Sequence, residues 1–223
     1  MKKFDGIIFD FNGTLVLDDE LHFAAFQKYG REDLGLTIER EDYFSNMHGR
    51  PNDRIYESIY KKPIPDELKG KFARRKEEYY IESFKKNPPP LANGAVVMLD
   101  FLKENRIPCA IATSSDLHSV NFFREVFSLD KWFSDIIYSD GTMRGKHNPD
   151  IYLRAGERLG IPMQNLITVE DSLSGAMACK AANAGLVVGI CPRGKENFLG
   201  KEHTDMVITD FTQFSYEELL KRP

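Results

Sequence analysis

Short apolar runs alternate with amphipathic stretches over most of this chain, and one long stretch near its start breaks the alternation. Ile7, Ile8 and Phe9 form a run rich in β-branched and aromatic residues, as in a strand buried on both faces. The apolar character stops at Asp10, and Asp10-Phe11-Asn12-Gly13-Thr14 reads as the turn that leaves the strand. From Asp18 to about Lys86 the pattern is helical, with no convincing strand. A first helix is expected from Asp18 or Asp19 to Gly30, carrying Leu21, Phe23, Ala24, Ala25 and Phe26. A second covers Arg40 to Met47, a third Pro51 to Tyr60, and a fourth begins near Pro65 and runs to about Lys86. The charges of the fourth read as a solvated face, with Phe72, Tyr79 and Phe84 packed inward. Pro88-Pro89-Pro90 cannot continue a helix and reads as a stiff linker.

Beyond Leu91 helix and strand alternate. Helices are expected over Ala95–Asn105, Asp116–Phe127, Asp150–Leu159 and Ser172–Asn183, the last stopped by Gly185, with one more at the C-terminus. Strands are expected over Ile107–Ala112, Asp135–Tyr138, Leu166–Val169, Leu186–Ile190 and Met206–Thr209. Such alternation predicts a parallel sheet covered on both faces, a Rossmann-like α/β core. Because the first strand is severed from the others by the helical block, that block is an insertion. The expected division is a core of residues 1–17 and 91–223 and a helical domain of residues 18–90.

Composition narrows the function classes. The chain has 223 residues, 42% hydrophobic and 29% charged, which is ordinary for a globular protein with one sizeable α/β domain plus an insertion. A net charge of −4 gives no electrostatic reason to expect nucleic acid as a partner. No segment approaches the roughly 18 apolar residues of a membrane helix, so no membrane partner is expected. Cys109, Cys179 and Cys191 are widely spaced, with no paired metal-ligand pattern, and read as reduced thiols of a cytoplasmic protein. A monomer or weak dimer is expected.

Polar groups then stand out at the ends of the strands: Asp10, Thr113, Lys146 after the third strand, and Glu170-Asp171. In a doubly wound sheet these ends converge on one edge. Carboxylates without a flanking arginine make a hard-oxygen site suited to Mg²⁺. A hydroxyl and a lysine beside them can hold the outer oxygens of a phosphoryl group. Together they are equipment for covalent phosphoryl transfer through an aspartyl-phosphate. Each has a plainer reading. Thr113 could cap the next helix, Lys146 could be a solvated loop residue, and Asp171-Ser172 could be an N-cap pair.

With those residues in view, the chain resembles the haloacid dehalogenase (HAD) superfamily over essentially its whole length. D-F-N-G-T-L at 10–15, A-T-S at 112–114, G-K-H-N-P-D at 145–150 and E-D-S-L-S-G at 170–175 resemble its four motifs in order. The helical insertion after the first motif is similar to the cap of the β-phosphoglucomutase and phosphoglycolate phosphatase branch. The resemblance implies a Mg²⁺-dependent phosphatase acting on a small phosphorylated metabolite, a sugar or polyol phosphate favoured. It implies that Asp10 is nucleophile and metal ligand, that Asn12 lends its backbone carbonyl to Mg²⁺, and that Asp171 is the remaining ligand. Glu170 would support the metal through water, and Thr113 with its neighbour Ser114 and Lys146 would bind the phosphoryl group.

One position departs from the pattern. The family's phosphatases and mutases carry a second aspartate two residues after the nucleophile, as the acid and base of the reaction, and here it is Asn12. An amide has no proton to exchange near neutral pH. General acid–base catalysis contributes about 10²–10⁴ in rate, roughly 3–5 kcal/mol. Hydrolysis of alkyl phosphates is therefore expected to be slowed, with water or a cap residue such as His22 partly substituting. His22 matches a histidine of the mutase pattern. His48-Gly49-Arg50-Pro51-Asn52 resembles the cap loop that reads the substrate, with Asn52 in place of the mutase's arginine and Arg50 and Arg54 near enough to supply charge. Lys76 falls where the mutase binds a distal phosphate. The alternatives are a β-phosphoglucomutase-like phosphotransferase, a phosphonate-cleaving enzyme, or a non-catalytic phosphate-ligand binder.

Overall fold

Four residues, Gly6–Phe9, form strand β1, and all are buried because the strand is paired on both sides. Its neighbours are β2 (Cys109–Ala112) and β4 (Leu166–Glu170), with β3 (Asp135–Ile137) beyond β2, and β5 (Leu186–Ile190) and β6 (Met206–Ile208) beyond β4. The computed structural model describes residues 3–48, 52–192 and 202–220. Every pairing in the six-stranded sheet is parallel, in the order β3-β2-β1-β4-β5-β6. The register sets Phe9 beside both Ile111 and Val169, so β1, β2 and β4 end level with one another. The chain order reverses between β1 and β4, and that switch point is where open α/β sheets open a crevice.

The chain forms two compact units, one of Met1–Leu17 and Leu91–Pro223, the other of Asp18–Pro90. In the second unit α1 (Asp19–Tyr29) packs against α4 (Asp66–Lys86). Between them run a short α2 (Arg40–Asp42) and α3 (Asn52–Tyr60). The helix expected over Arg40–Met47 changes type at Tyr43, where wider π-type turns take over and His48 N–H reaches Tyr43 O at 2.8 Å. This buries Tyr43 and Met47 while Phe44 lies against Phe23 at 5.8 Å. An aromatic core of Phe26, Tyr29, Tyr56 and Phe72 fills the unit. Tyr79 and Phe84 of α4 are buried, as their spacing predicts.

In the first unit α5 (Ala95–Glu104), α6 (Leu117–Phe127), α7 (Asp150–Leu159), α8 (Leu173–Ala181) and a short α9 (Tyr216–Leu219) accompany the sheet. Two boundaries differ from expectation for local reasons. β2 begins at Cys109 because Pro108 has no N–H to give, although its carbonyl still accepts from Ile7 at 3.1 Å. The residue that leaves α8 in the left-handed region is Asn183 (φ 61°), not Gly185. Gly185 instead lets β5 start hard against Gln164, whose carbonyl a Cβ there would meet at 2.2 Å. Among the described residues no helix is long and apolar enough to cross a membrane.

Candidate active site

The loop after β1 is built to turn beneath a carboxylate. Asp10 N–H still donates to Val169 O at 2.9 Å, extending the ladder, and the side chain is buried. The chain then folds over Phe11, whose carbonyl accepts from Leu15 and Val16 N–H at 2.8 and 3.1 Å. Gly13 makes this possible with φ 78°, in the region that disfavours a side chain. A Cβ there would also lie 2.3 Å from Asp171 Oδ2, so the loop is pressed against the carboxylate of the β4 end. Thr14 Oγ1 donates to Asp171 Oδ1 at 3.1 Å.

At the end of β4, Glu170 has no exposed surface and is filled by protein donors on both oxygens. Oε1 accepts from Lys146 Nζ at 2.5 Å and Tyr152 OH at 2.6 Å. Oε2 accepts from the N–H groups of Asp171 and Ser172 at 3.1 Å each and from Ser172 Oγ at 3.0 Å. Ser172 is the N-cap of α8, accepting from Gly175 N–H at 3.0 Å. Gly175 must be glycine, since a Cβ would land 1.9 Å from the Glu170 carboxylate.

Lys146 bridges the two strand ends, donating to Asp10 Oδ1 as well as to Glu170. Its side chain is 9% exposed, so the solvated-loop reading does not hold. The loop that delivers it is pinned by Arg144, which gives Asp150 its N–H and guanidinium at 2.6–3.1 Å, and by Asn148 on Gly145 O. At the end of β2, Thr113 is buried and its Oγ1 accepts from Ser115 N–H at 3.1 Å. It does not cap α6; Asp116 does, accepting from Ser119 N–H at 2.9 Å. Ser114 is exposed, and Ser115 Oγ donates to Asn12 Oδ1 at 3.0 Å, tying the β2 loop to the β1 loop.

The electrostatics follow from this crowding. Burial pushes Asp10 up to about 7; Lys146 opposes that and the neighbouring Glu170 adds to it. Burial pulls Lys146 down, but Asp10 and Glu170 outweigh it, and the ammonium is held above the ordinary lysine range. Oxygens of Asp10, Glu170 and Asp171 all lie within 4.8 Å of one another. Three carboxylates crowd one ammonium at this sheet edge, and the donors are all hard oxygens. The residues therefore fit a small divalent cation such as Mg²⁺, with Asp10 and Asp171 the carboxylates available to it. Glu170, fully occupied by protein donors, is suited to act on such an ion through water.

Within the helical unit, Lys76 is buried and its Nζ meets His22 Nδ1 at 2.8 Å. His22 stacks on Tyr80 at 4.2 Å, with Nε2 3.5 Å from Asp18, which also accepts from Tyr80 OH. Burial, then Lys76 and His48, hold the His22 imidazole well below its ordinary pKa, so it is neutral. His48 Nε2 lies 2.9 Å from Asp19 Oδ1, and Arg54 pairs with Glu57. Gly49, Arg50 and the side chain of Asn52 lie outside the described residues. Sequence reasoning missed Tyr152 and Ser115. The one signal for Tyr152 was a tyrosine within the apolar stripe of α7, where a buried hydroxyl requires a partner.

A sheet that reverses order between β1 and β4, with Asp10, Lys146, Glu170 and Asp171 gathered at that edge, defines a doubly wound α/β protein with a charged crevice at its switch point. A family model for haloacid dehalogenase-like hydrolases matches residues 7–188, and the chain belongs to that family. The phosphorylated carbohydrates phosphatase of Thermotoga maritima is 28% identical over 190 residues, 83% of this chain and 85% of that protein. The HAD hydrolase, family IA, variant 3, of Entamoeba histolytica has a crystal structure that superimposes with a TM-score of 0.89. It is 34% identical, covering 98% of this chain and 97% of that one. A mutant CbbY of Rhodobacter sphaeroides, crystallised with xylulose-1,5-bisphosphate, is 25% identical with a TM-score of 0.81 over 95% of this chain and 96% of its own.

Proposed function

We propose that this chain is a Mg²⁺-dependent phosphatase of small phosphorylated carbohydrates that works through an aspartyl-phosphate on Asp10. The observation that carries the reading is Lys146 shared between Asp10 and Glu170, with Asp171 alongside. Asp10, Asp171 and the backbone carbonyl of Asn12 hold the ion, and Glu170 steadies it through water. A bound Mg²⁺ supplies positive charge to the phosphoryl oxygens and to the carboxylates around them. Lys146, Thr113 and Ser114 bind the outer oxygens of the phosphoryl group, so that the Asp10 carboxylate faces phosphorus opposite the leaving oxygen. The helical unit is the cap, where His22, Gly49, Arg50, Asn52 and Lys76 select the organic part of the substrate. As it stands, His22 has Lys76 on one ring nitrogen and Asp18 near the other, which supports a positioning role over proton transfer. The buried thiols of Cys109, Cys179 and Cys191 support a reducing, cytoplasmic setting.

Asn12 slows this reaction because it gives a hydrogen bond where an acid would give a proton. Phosphate release from a panel of phosphorylated sugars and polyols, with Mg²⁺, tests the reading. Wild type should release phosphate slowly, Asn12→Asp about 10–10³ times faster, and Asp10→Asn not at all. Phosphate affinity without turnover in both wild type and Asn12→Asp would point instead to a binding protein, and production of sugar-phosphate isomers to a mutase.

A further inference from the structure

Asn12 is held in one particular way. Its Oδ1 accepts from Ser115 Oγ at 3.0 Å, and the same serine is anchored by its own N–H on Thr113 Oγ1 at 3.1 Å. With the carbonyl end of the amide supplied with a donor from the β2 loop, the two hydrogens lie on the other end of a planar group. The neighbouring hydrogens are committed as well. Thr14 gives its hydroxyl proton to Asp171, Tyr152 gives its to Glu170, and the Lys146 ammonium serves Asp10 and Glu170. Of the residues named here, the Asn12 amide is thus what the core unit offers a departing oxygen, a hydrogen-bond donor without a proton to exchange. A hydrogen bond stabilises negative charge on that oxygen; it does not transfer a proton to it.

Resting on the phosphatase reading above, we propose that this site selects phosphoryl donors whose leaving oxygen departs as an anion: phosphates of acyl, enol, aryl or anomeric hydroxyls in preference to those of primary alcohols. In the first step an Asp10 carboxylate oxygen forms its bond to phosphorus as the bond to the leaving oxygen breaks. The leaving oxygen keeps the electron pair, is steadied by the Asn12 N–H group, and takes its proton afterwards from water. In the second step a water oxygen bonds to phosphorus, Asp10 leaves with the electron pair as a carboxylate, and the proton of that water passes to solvent. Of the donors named above, none titrates near neutral pH to serve either step as acid or base. The acidity of the leaving hydroxyl therefore sets the first barrier, and with a good leaving group the second step becomes the slow one. Ser115 is a positioning residue, acting through the orientation of the Asn12 amide.

The test is kcat/KM for a series of aryl phosphates of graded leaving-group acidity, together with the 1-phosphate and 6-phosphate of one hexose, in wild type and Asn12→Asp with Mg²⁺. Wild-type rates should fall roughly three- to tenfold for each unit rise in leaving-group pKa, and the 1-phosphate should be favoured at least about tenfold. The most acidic phenol should be released in a burst before steady state. In Asn12→Asp the slope should flatten to less than about twofold per unit and the burst should vanish. A flat wild-type series with equal hexose phosphates would overturn the proposal while leaving the phosphatase reading intact. Failure of every donor, or turnover that persists in Asp10→Asn, would overturn both. The wild-type slope decides the matter even if the variant does not fold, because it is read on the unmodified protein.

Discussion

At the scale of single residues, Glu170 and Tyr152 change the picture most. The order of polar residues along the chain was enough to expect Asp10, Lys146, Glu170 and Asp171 at one sheet edge, and the structure brings them together there. It was not enough to separate Glu170 from Asp171. They are adjacent and chemically alike, and only the packing reveals that one is filled by five protein donors while the other faces the Asp10 loop. Tyr152 was illegible for a related reason: in sequence it is one more apolar position of α7, yet its hydroxyl shares Glu170 Oε1 with Lys146. On the proposed phosphatase reading, removing that hydroxyl would make Glu170 lean harder on Lys146 and draw the ammonium away from the phosphoryl group. Tyr152→Phe is expected to raise KM for the phosphoryl donor and lower kcat about three- to tenfold, at a stability cost of about 1–2 kcal/mol. Steady-state kinetics and thermal unfolding of the same preparation measure both. Unchanged kinetics with lowered stability would reduce the hydroxyl to a packing role.

Among elements, strands and helices were the most readable, since each short apolar run between amphipathic stretches had a single sensible assignment in a parallel sheet. The misreadings lie at boundaries fixed by backbone detail. Pro108 delays β2, Asn183 rather than Gly185 turns left-handed after α8, and π-type turns follow Tyr43. The start of α8 is the element on which the site depends most. Ser172 both accepts from Gly175 N–H as N-cap and donates to Glu170, so one hydroxyl joins the helix to the buried carboxylate. Ser172→Ala is expected to cost about 1–2 kcal/mol in urea unfolding and to lower activity. Asp116→Ala, which removes only the cap of α6, should cost about 0.5–1 kcal/mol and leave activity nearly unchanged. Equal effects of the two on activity would argue against a special role for the α8 cap.

For the molecule as a whole, the sheet edge concentrates negative charge that the fold does not neutralise by itself. Burial and Glu170 raise Asp10 to about 7, so below that pH the metal-free carboxyl carries a proton that a cation must displace. The sign follows directly: a raised acid is neutral on the low-pH side, so Mg²⁺ affinity falls as pH drops through about 7. The apparent Kd should rise about tenfold per pH unit there and flatten above it, with close to one proton released per ion bound on the acid side. Titration calorimetry in two buffers of different ionisation enthalpy reads both quantities. An affinity independent of pH from 5.5 to 8, on the order of the range about that midpoint, would mean that Asp10 is ionised throughout and is not crowded as described.

The claim beneath all of this is that Asp10 takes the phosphoryl group from the substrate onto its own carboxylate. It is tested most directly by mixing enzyme, Mg²⁺ and an aryl phosphate, quenching in acid during the burst, and locating the phosphoryl group by peptide mass spectrometry. The account predicts one phosphoryl group on the peptide that contains Asp10, lost on raising the pH and never formed in Asp10→Asn. Steady release of phosphate with that peptide unmodified throughout, or the group found on another residue, would contradict it.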